Sequence, residues 1–403
     1  MPLRSVDEHR CVVAALIARR PAASVRLAEA QGLVLAEDVT APVSLPVFDN
    51  SAMDGYAVRA DDVAAATDEH PVKLPVAEDI AAGRTDIPTL QPGTAHRIMT
   101  GAPVPAGATA VVAVEQTDGR TDTVAIRAAA AEGRHIRRAG EDVAAGTTVL
   151  RAGQQVTPPV LGLAAALGLV VLPVIPRQRV LVVSTGSELV SPGAALQPGQ
   201  IYESNGVMLT AAVRDAGATV VAAVTTTDDV AEFSAVLDRY ADESDLIITS
   251  GGVSAGAYEV VKDAFGRDGG QGVEFTRVAM QPGMPQGAGR VAGTPIVTLP
   301  GNPVSVLVSF EVFIRPALRA AMGLAHAERP RRDALLTEAL TSPGGRRQFR
   351  RGVLDTAAGV VSSYGPPGSH HLRWLASANC LLDIPEDVVE MPAGTKLQVW
   401  DLR

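Results

Sequence analysis

Between about residues 177 and 326, short apolar runs take turns with amphipathic stretches, and this alternation limits the fold more than any other feature of the chain. The runs "RVLVVST", "ATVVAAVTT", "DLIITS" and "PIVTL" are of strand length and rich in β-branched residues. Between them, "SNGVMLTAAVRDAG" and "DVAEFSAVLDRYADE" carry apolar residues at helical spacing. Strands separated by helices pair in parallel, because each crossover returns the chain to the same end of the sheet. Ligands bind such a sheet beyond the carboxyl ends of its strands. Four loops leave those ends, "STGSEL" (184–189), "TTTDD" (225–229), "TSGGVSAG" (249–256) and "LPGNPVS" (299–305), so one shared site is expected there.

The chain has 403 residues, and 47% hydrophobic content with only 3% aromatic allows several mainly aliphatic cores. An α/β multidomain chain is expected. Residues 1–45 and 140–176 read as an N-terminal helical domain, whose first helix opens at a Ser5/Glu8 capping box. Residues 46–139, dense in Pro, Gly and short Val-rich runs, read as a β lobe inserted into it. The central βαβ parallel-sheet domain covers 177–326, and a small C-terminal β domain covers 327–403.

Charge and cysteine content exclude several classes. A net charge of −9 is the wrong sign for sequence-independent nucleic-acid binding. Cys11 and Cys380 have no metal-ligand spacing and make no disulfide framework, which suits a reducing compartment. The N-terminus has acids before its apolar run and arginines after it, the reverse of a secretory signal. The longest apolar stretch, "VLGLAAALGLVVLPVI", is too short to span a bilayer comfortably. A cytoplasmic protein with no membrane or nucleic-acid partner is expected. The histidine pair of "SHHL" (369–372) is expected on a surface loop rather than at a metal.

In "SGGVSAG", Ser250, Gly251, Gly252, Ser254 and Gly256 suit either an anion cradle or a tight strand-to-helix turn, since glycines let backbone N–H groups approach a ligand. The loop is neither a Walker loop nor a dinucleotide fingerprint. Glu188 and the pair Asp228/Asp229 stand where strands hand over to helices. There they either cap a helix or hold Mg²⁺ through carboxylates. Pro300 and Pro303 stiffen the turn around Gly301 and Asn302. Outside the central domain, Asp49, Asn50, Ser51 and Asp54 in "PVFDNSAMDGYAV" and Thr100 in "RIMTGAPVPAG" are polar loop residues on an apolar frame, where function and turn chemistry both occur.

Six blocks in order, "PVFDNSAMDGYAVRA", "IMTGAPVPAGATAVV", "IRRAGEDV", "VVSTGSELVSPG", "DLIITSGGVSAG" and "LPGNPVSV", resemble the molybdopterin molybdenumtransferase family, known as MoeA in bacteria and as the E domain of gephyrin in animals. The resemblance spans essentially the whole chain. It implies an elongated homodimer of four-domain subunits with a MoaB/MogA-like molybdopterin-binding domain at its centre. It implies insertion of molybdenum from molybdate into adenylylated molybdopterin, with release of AMP and with Mg²⁺ taking part. It also implies a cleft between the central domain of one subunit and the β lobe of the other. Molybdoenzymes and the upstream adenylyltransferase are candidate partners.

On the family pattern Glu188 and Asp228 form the acidic strand-end cluster and the metal site, with Glu259 where aspartate is usual. Asp54, Thr100 and Asp142 match the facing cleft. Ser184, Thr185, Gly186 and the "SGGVSAG" loop match the pterin and phosphate side, and Pro300, Gly301, Asn302, Pro303 and Ser305 match the rigid proline loop. Ser377 matches a serine on the molybdate side, and Arg350 is expected to bind substrate. One departure bears on function: the family commonly has two lysines in the loop reading "AMQPGMPQGAGR", where this chain has Gln281 and Met284. Lysine occurs only at 73, 262 and 396, so Arg290, Arg350 and Lys262 are candidate replacements. That loss leaves two alternatives open, a paralogue using another oxyanion such as tungstate and a non-catalytic molybdopterin-binding scaffold.

Overall fold

The computed structural model describes residues 3–252, 260–266 and 272–403. They form two compact units, Met1–Ala23 with Ile175–Arg403, and Ser24–Val174.

The first unit is built on a six-stranded sheet whose strands are, in chain order, β1 (Arg179–Thr185), β2 (Thr219–Thr226), β3 (Leu246–Ser250), β4 (Val273–Arg277), β5 (Pro285–Val291) and β6 (Thr294–Leu299). The spatial order is β2-β1-β3-β6-β5-β4, parallel across the first four and antiparallel at β5 and β4. The side chains of β1 alternate between two cores, as the two-residue strand period requires. Val180 and Val182 join one cluster with Leu209 and Phe313, while Leu181 and Val183 join another with Phe233 and Phe265. Both faces are covered by helices, which is why the strands read as unbroken apolar runs.

The expected α/β fold class is therefore observed, with an addition and a correction. The antiparallel pair β4–β5 was not expected, because "QGAGR" carries turn-like glycines. Those glycines instead admit close neighbours: a Cβ at Gly289 would lie 2.0 Å from the carbonyl oxygen of Gly272, and one at Gly287 would lie 2.2 Å from Thr298 Oγ1. The correction concerns the first helix, Val6–Leu16, which has the expected Ser5/Glu8 capping box. Val6, Val13 and Ile17 pack into the cluster of Val180 and Phe313, so this helix belongs with the central sheet and not with residues 24–45. An amphipathic pattern fixes which face is buried, not against what.

The C-terminal strands Arg331–Leu336, Arg347–Asp355, Val360–Ser363, Cys380–Ile384 and Lys396–Asp401 close on themselves through pairing of Arg347–Asp355 with Cys380–Ile384. Met280–Gln281 adds to the edge of this sheet.

In the second unit, one cluster joins Ala30, Leu35 and Val39 to Leu150, Val160 and Leu172, and a separate one gathers Tyr56, Val58, Val112 and Ile126 over a five-stranded sheet. Of the stretch 140–176, only Pro158–Ala166 is helical; Thr148–Leu150 pairs with Val39–Thr40 as strand. No helix of the described residues is long and apolar enough to cross a membrane.

Candidate active site

Register brings the site together. Ser184 pairs with Ser250, Ser250 with Leu299, and Thr185 with Thr226, so the carboxyl ends of β2, β1, β3 and β6 lie at one edge. A cavity of about 600 Å³ opens there. Its wall includes Thr185, Gly186 and Glu188 after β1, and Asp228 after β2. Ser250, Gly251 and Gly252 follow from β3, and Gly301, Asn302 and Pro303 from β6. Ser184, Pro300 and Ser305 are buried residues of the same strand ends and do not line it. Ser254, Gly256 and Glu259 lie outside the described residues. A larger groove of about 970 Å³, between Ser5–Asp7 and residues 383–398, contains none of the site residues expected from the sequence.

Two loops are tied across the cavity edge. Ser187 N–H donates to Asp228 Oδ2 at 3.1 Å, and Ser187 Oγ accepts from Asp228 N–H at 3.0 Å. Glu188 folds back over Gly186, where a Cβ would stand 2.7 Å from Glu188 Oε2. Asp228 and Glu188 are both exposed, whereas Asp229 is a helix cap, accepting from Glu232 N–H at 2.8 Å. Of the alternatives left open by sequence, capping therefore falls to Asp229.

The glycines of these loops admit close approach of neighbouring backbone. Gly251 has φ +93°, and a Cβ there would lie 2.6 Å from the Thr185 carbonyl oxygen. Its N–H already donates to the Leu299 carbonyl at 3.1 Å, as that of Gly186 does to Thr226 at 3.0 Å. The N–H groups of Gly186 and Gly251 are thus engaged at the sheet edge.

Sequence reasoning missed several groups at the cavity, among them Glu203, Asn205 and His370. His370, expected on a surface loop, is exposed at the cavity wall. Arg351, itself buried, donates to the carbonyls of Pro366, Gly368 and His371 and so holds this loop, and Val304 N–H donates to Ser369 O at 3.0 Å. The signal lay in "YESNG", where a carboxylate immediately precedes a helix that starts beside the strand ends.

No lysine or arginine lines the cavity among the described residues, against three carboxylates and one histidine. Arg290 donates to the carbonyls of Gly293 and Leu16, and Arg350 to that of Thr341, so these candidate replacements for the missing lysines are engaged elsewhere. Lys262, the third, is also absent from the lining. Gln281 lies in the short strand paired with Gln348, and Met284 Sδ accepts from Arg277 at 3.2 Å. Ser377 Oγ donates to Arg373 O at 3.3 Å within its own helix.

In the unit Ser24–Val174, Asp54 and Thr100 meet, 46 residues apart in sequence: Thr100 N–H and Oγ1–H both donate to Asp54 Oδ1, at 2.6 and 2.8 Å. These two bonds, the backbone one first, hold the Asp54 carboxyl below its ordinary range. Thr100→Val should raise that pKa yet leave it below 3.8, because the N–H remains; a carboxylate titration followed by NMR checks this, and an unchanged value would remove the hydroxyl from the account. Asp142 is exposed on its own turn. Asp49, by contrast, accepts from Ala139 N–H and Arg138 and fastens its loop.

Comparison with known proteins bears on both units. Residues 4–168 match a model of the MoeA N-terminal region (domain I and II), 181–320 a probable molybdopterin binding domain, and 333–402 the MoeA C-terminal region (domain IV). The chain is 74% identical to "Molybdopterin molybdenumtransferase 2" of Mycobacterium tuberculosis, over 99% of this chain and all of that one. It is 37% identical to "Molybdopterin molybdenumtransferase 1" of the same organism, over 98% of both. The crystal structure of a molybdopterin biosynthesis MoeA protein from Pyrococcus superposes with a TM-score of 0.81 at 28% identity, covering both chains fully.

Proposed function

We propose a working site from one premise: the chain belongs to the molybdopterin molybdenumtransferase family and is a transferase of molybdenum cofactor biosynthesis. It inserts molybdenum from molybdate into adenylylated molybdopterin and releases AMP. The observation that carries this reading is a strand-end cavity whose charged side chains among the described residues are carboxylates, which suits a substrate that arrives with cations.

Mg²⁺ fits this chemistry. Two exposed carboxylates on tied neighbouring loops, Glu188 and Asp228, suit a hard dication that takes its other ligands from water and substrate phosphate. Among the described residues no three carboxylate, cysteine or histidine groups converge as a ready-made metal site, which fits an ion shared with substrate better than a caged one. Bound there, it supplies positive charge against the pyrophosphate oxygens. The protein's share is to hold the linkage to adenylate at the β1 and β2 loops and the pterin in the cavity beyond. Asp54, Thr100 and Asp142 form the facing wall, contributed by the second subunit of a homodimer. A cytoplasmic location fits the pathway.

The test is AMP release from adenylylated molybdopterin by the purified protein with Mg²⁺, titrating molybdate and then tungstate. Molybdate-dependent release at low concentration supports the transferase. A preference for tungstate would mark a paralogue for another oxyanion, and no release with either would leave a molybdopterin-binding scaffold.

A further inference from the structure

Glu203 is 7% exposed, lines the cavity, and has no cation beside it among the described residues. Its Oε1 accepts from Gly206 N–H at 2.6 Å and from Ser184 Oγ at 2.9 Å. Because Oε1 is already an acceptor for the amide, Ser184 has to give it its one hydroxyl proton. Ser184 then has only lone pairs left, and Ser250 Oγ donates to it at 3.3 Å. Ser250 in turn has spent its proton inward and offers the cavity only acceptor capacity.

Asn205 points the same way. Its Nδ2 donates to Gly301 O at 2.7 Å, which fixes the amide's orientation, and its Oδ1 is buried with no donor among the described residues. Glu203 Oε2, unlike Asn205 Oδ1, is not among the fully buried unpartnered atoms, and it accepts no hydrogen bond among the described residues, so it is free to meet a ligand. Space is kept for this arrangement at Gly206, where a Cβ would fall 3.0 Å from Glu203 Oε2 and 3.1 Å from Ser184 Oγ.

We infer that Glu203, Asn205 and Ser250 form an acceptor-only wall that takes the amino-bearing edge of the pterin ring, and that this part of the cavity selects a hydrogen-bond donor and not phosphate. Buried acceptors without donors carry a free-energy cost that a ligand N–H relieves. A phosphate at the same wall would meet oxygen lone pairs and a carboxylate. Ser250 is thereby moved from the phosphate role expected from the sequence to the pterin. Glu203 positions Ser250 through Ser184, so its own effect divides into a direct contact through Oε2 and an indirect one through the hydroxyl relay. The inference rests on the molybdopterin-handling reading above.

Two ring probes separate the cases: pterin, with its 2-amino group, and lumazine, which carries a carbonyl there. Calorimetric titration of the full-length protein should show pterin binding about ten-fold or more tighter than lumazine, the scale of one charge-assisted hydrogen bond. Inorganic phosphate should not displace pterin. Glu203→Gln keeps an acceptor for Ser184 and Gly206 while replacing Oε2 with an N–H donor, and should cut the preference to about two-fold or less. Ser184→Ala, which frees the Ser250 proton to face the ligand, should improve lumazine binding and provides a second reading if the Gln variant does not fold. Equal binding of the two rings, binding of neither, or displacement of pterin by phosphate overturns the inference. AMP release by a protein without ring preference would overturn the wall and keep the transferase; absence of AMP release would remove the transferase reading itself.

Discussion

Asp228→Asn should lower Mg²⁺-dependent AMP release by about 10²–10³-fold, the usual cost of removing one preorganised charge at a reacting centre. The substitution is close to isosteric. The Asn side-chain oxygen can still accept from Ser187 N–H, and the backbone bond from Asp228 N–H to Ser187 Oγ does not involve the side chain. Stability should therefore change by no more than about 0.5 kcal/mol, as for other exposed positions. Glu188→Gln should act on the same step, and the double variant should cost little more than the worse single one, because two ligands of one ion act as a unit. Higher Mg²⁺ should restore part of the loss if the carboxylates recruit the ion. Wild-type rates in both single variants, with wild-type melting curves, would take Glu188 and Asp228 out of the chemistry.

How far the sequence reached can be judged at particular residues. The parallel strands were legible because burial on both faces leaves an unbroken apolar run, as in "DLIITS", and loops at their carboxyl ends follow from topology alone. Pairing of Ser184 with Ser250 follows from register, so the expectation that these loops meet needed no side-chain detail. What was not legible depended on contacts between segments distant in sequence. The glycines of "QGAGR" read as turns because their reason for being glycine is a neighbouring strand. Glu203 was not singled out from the sequence, since its place at the site depends on Ser184, 19 residues earlier, donating to it. His370 reaches the cavity because Arg351, in a strand of the C-terminal domain, gathers the carbonyls of its loop. The pairing of Gly251 N–H with Leu299 on the adjacent strand was hidden for the same kind of reason.

The other large effect is expected at the first helix, where His9 is fully buried against Phe313, ring centroids 4.7 Å apart and edge-on at 88°. Neither ring nitrogen has a hydrogen-bond partner among the described residues. Burial, with a smaller contribution from the charge of Arg4, lowers its pKa to about 4 from 6.5. The unfolded chain therefore binds a proton between pH 6.5 and 4 that the folded chain refuses, and stability rises with pH across that window. The contribution is complete above pH 6.5 and is lost as pH falls toward 4, reaching roughly 3 kcal/mol at the lower end and about 2 kcal/mol at pH 5. Carboxylates such as Asp54 and Asp49, held low by hydrogen bonds, lose their own contributions only further into acid, below their unfolded values near 3.8. His9 therefore dominates the early part of the acid transition. His9→Leu, apolar and of similar size, should flatten the fall in urea midpoint between pH 7 and pH 5 while keeping stability at pH 7 at or above that of the wild type. A variant whose midpoint falls as steeply as that of the parent would place the acid sensitivity elsewhere, and one that is much weaker at pH 7 would mean that the imidazole is stabilised by a partner other than Phe313.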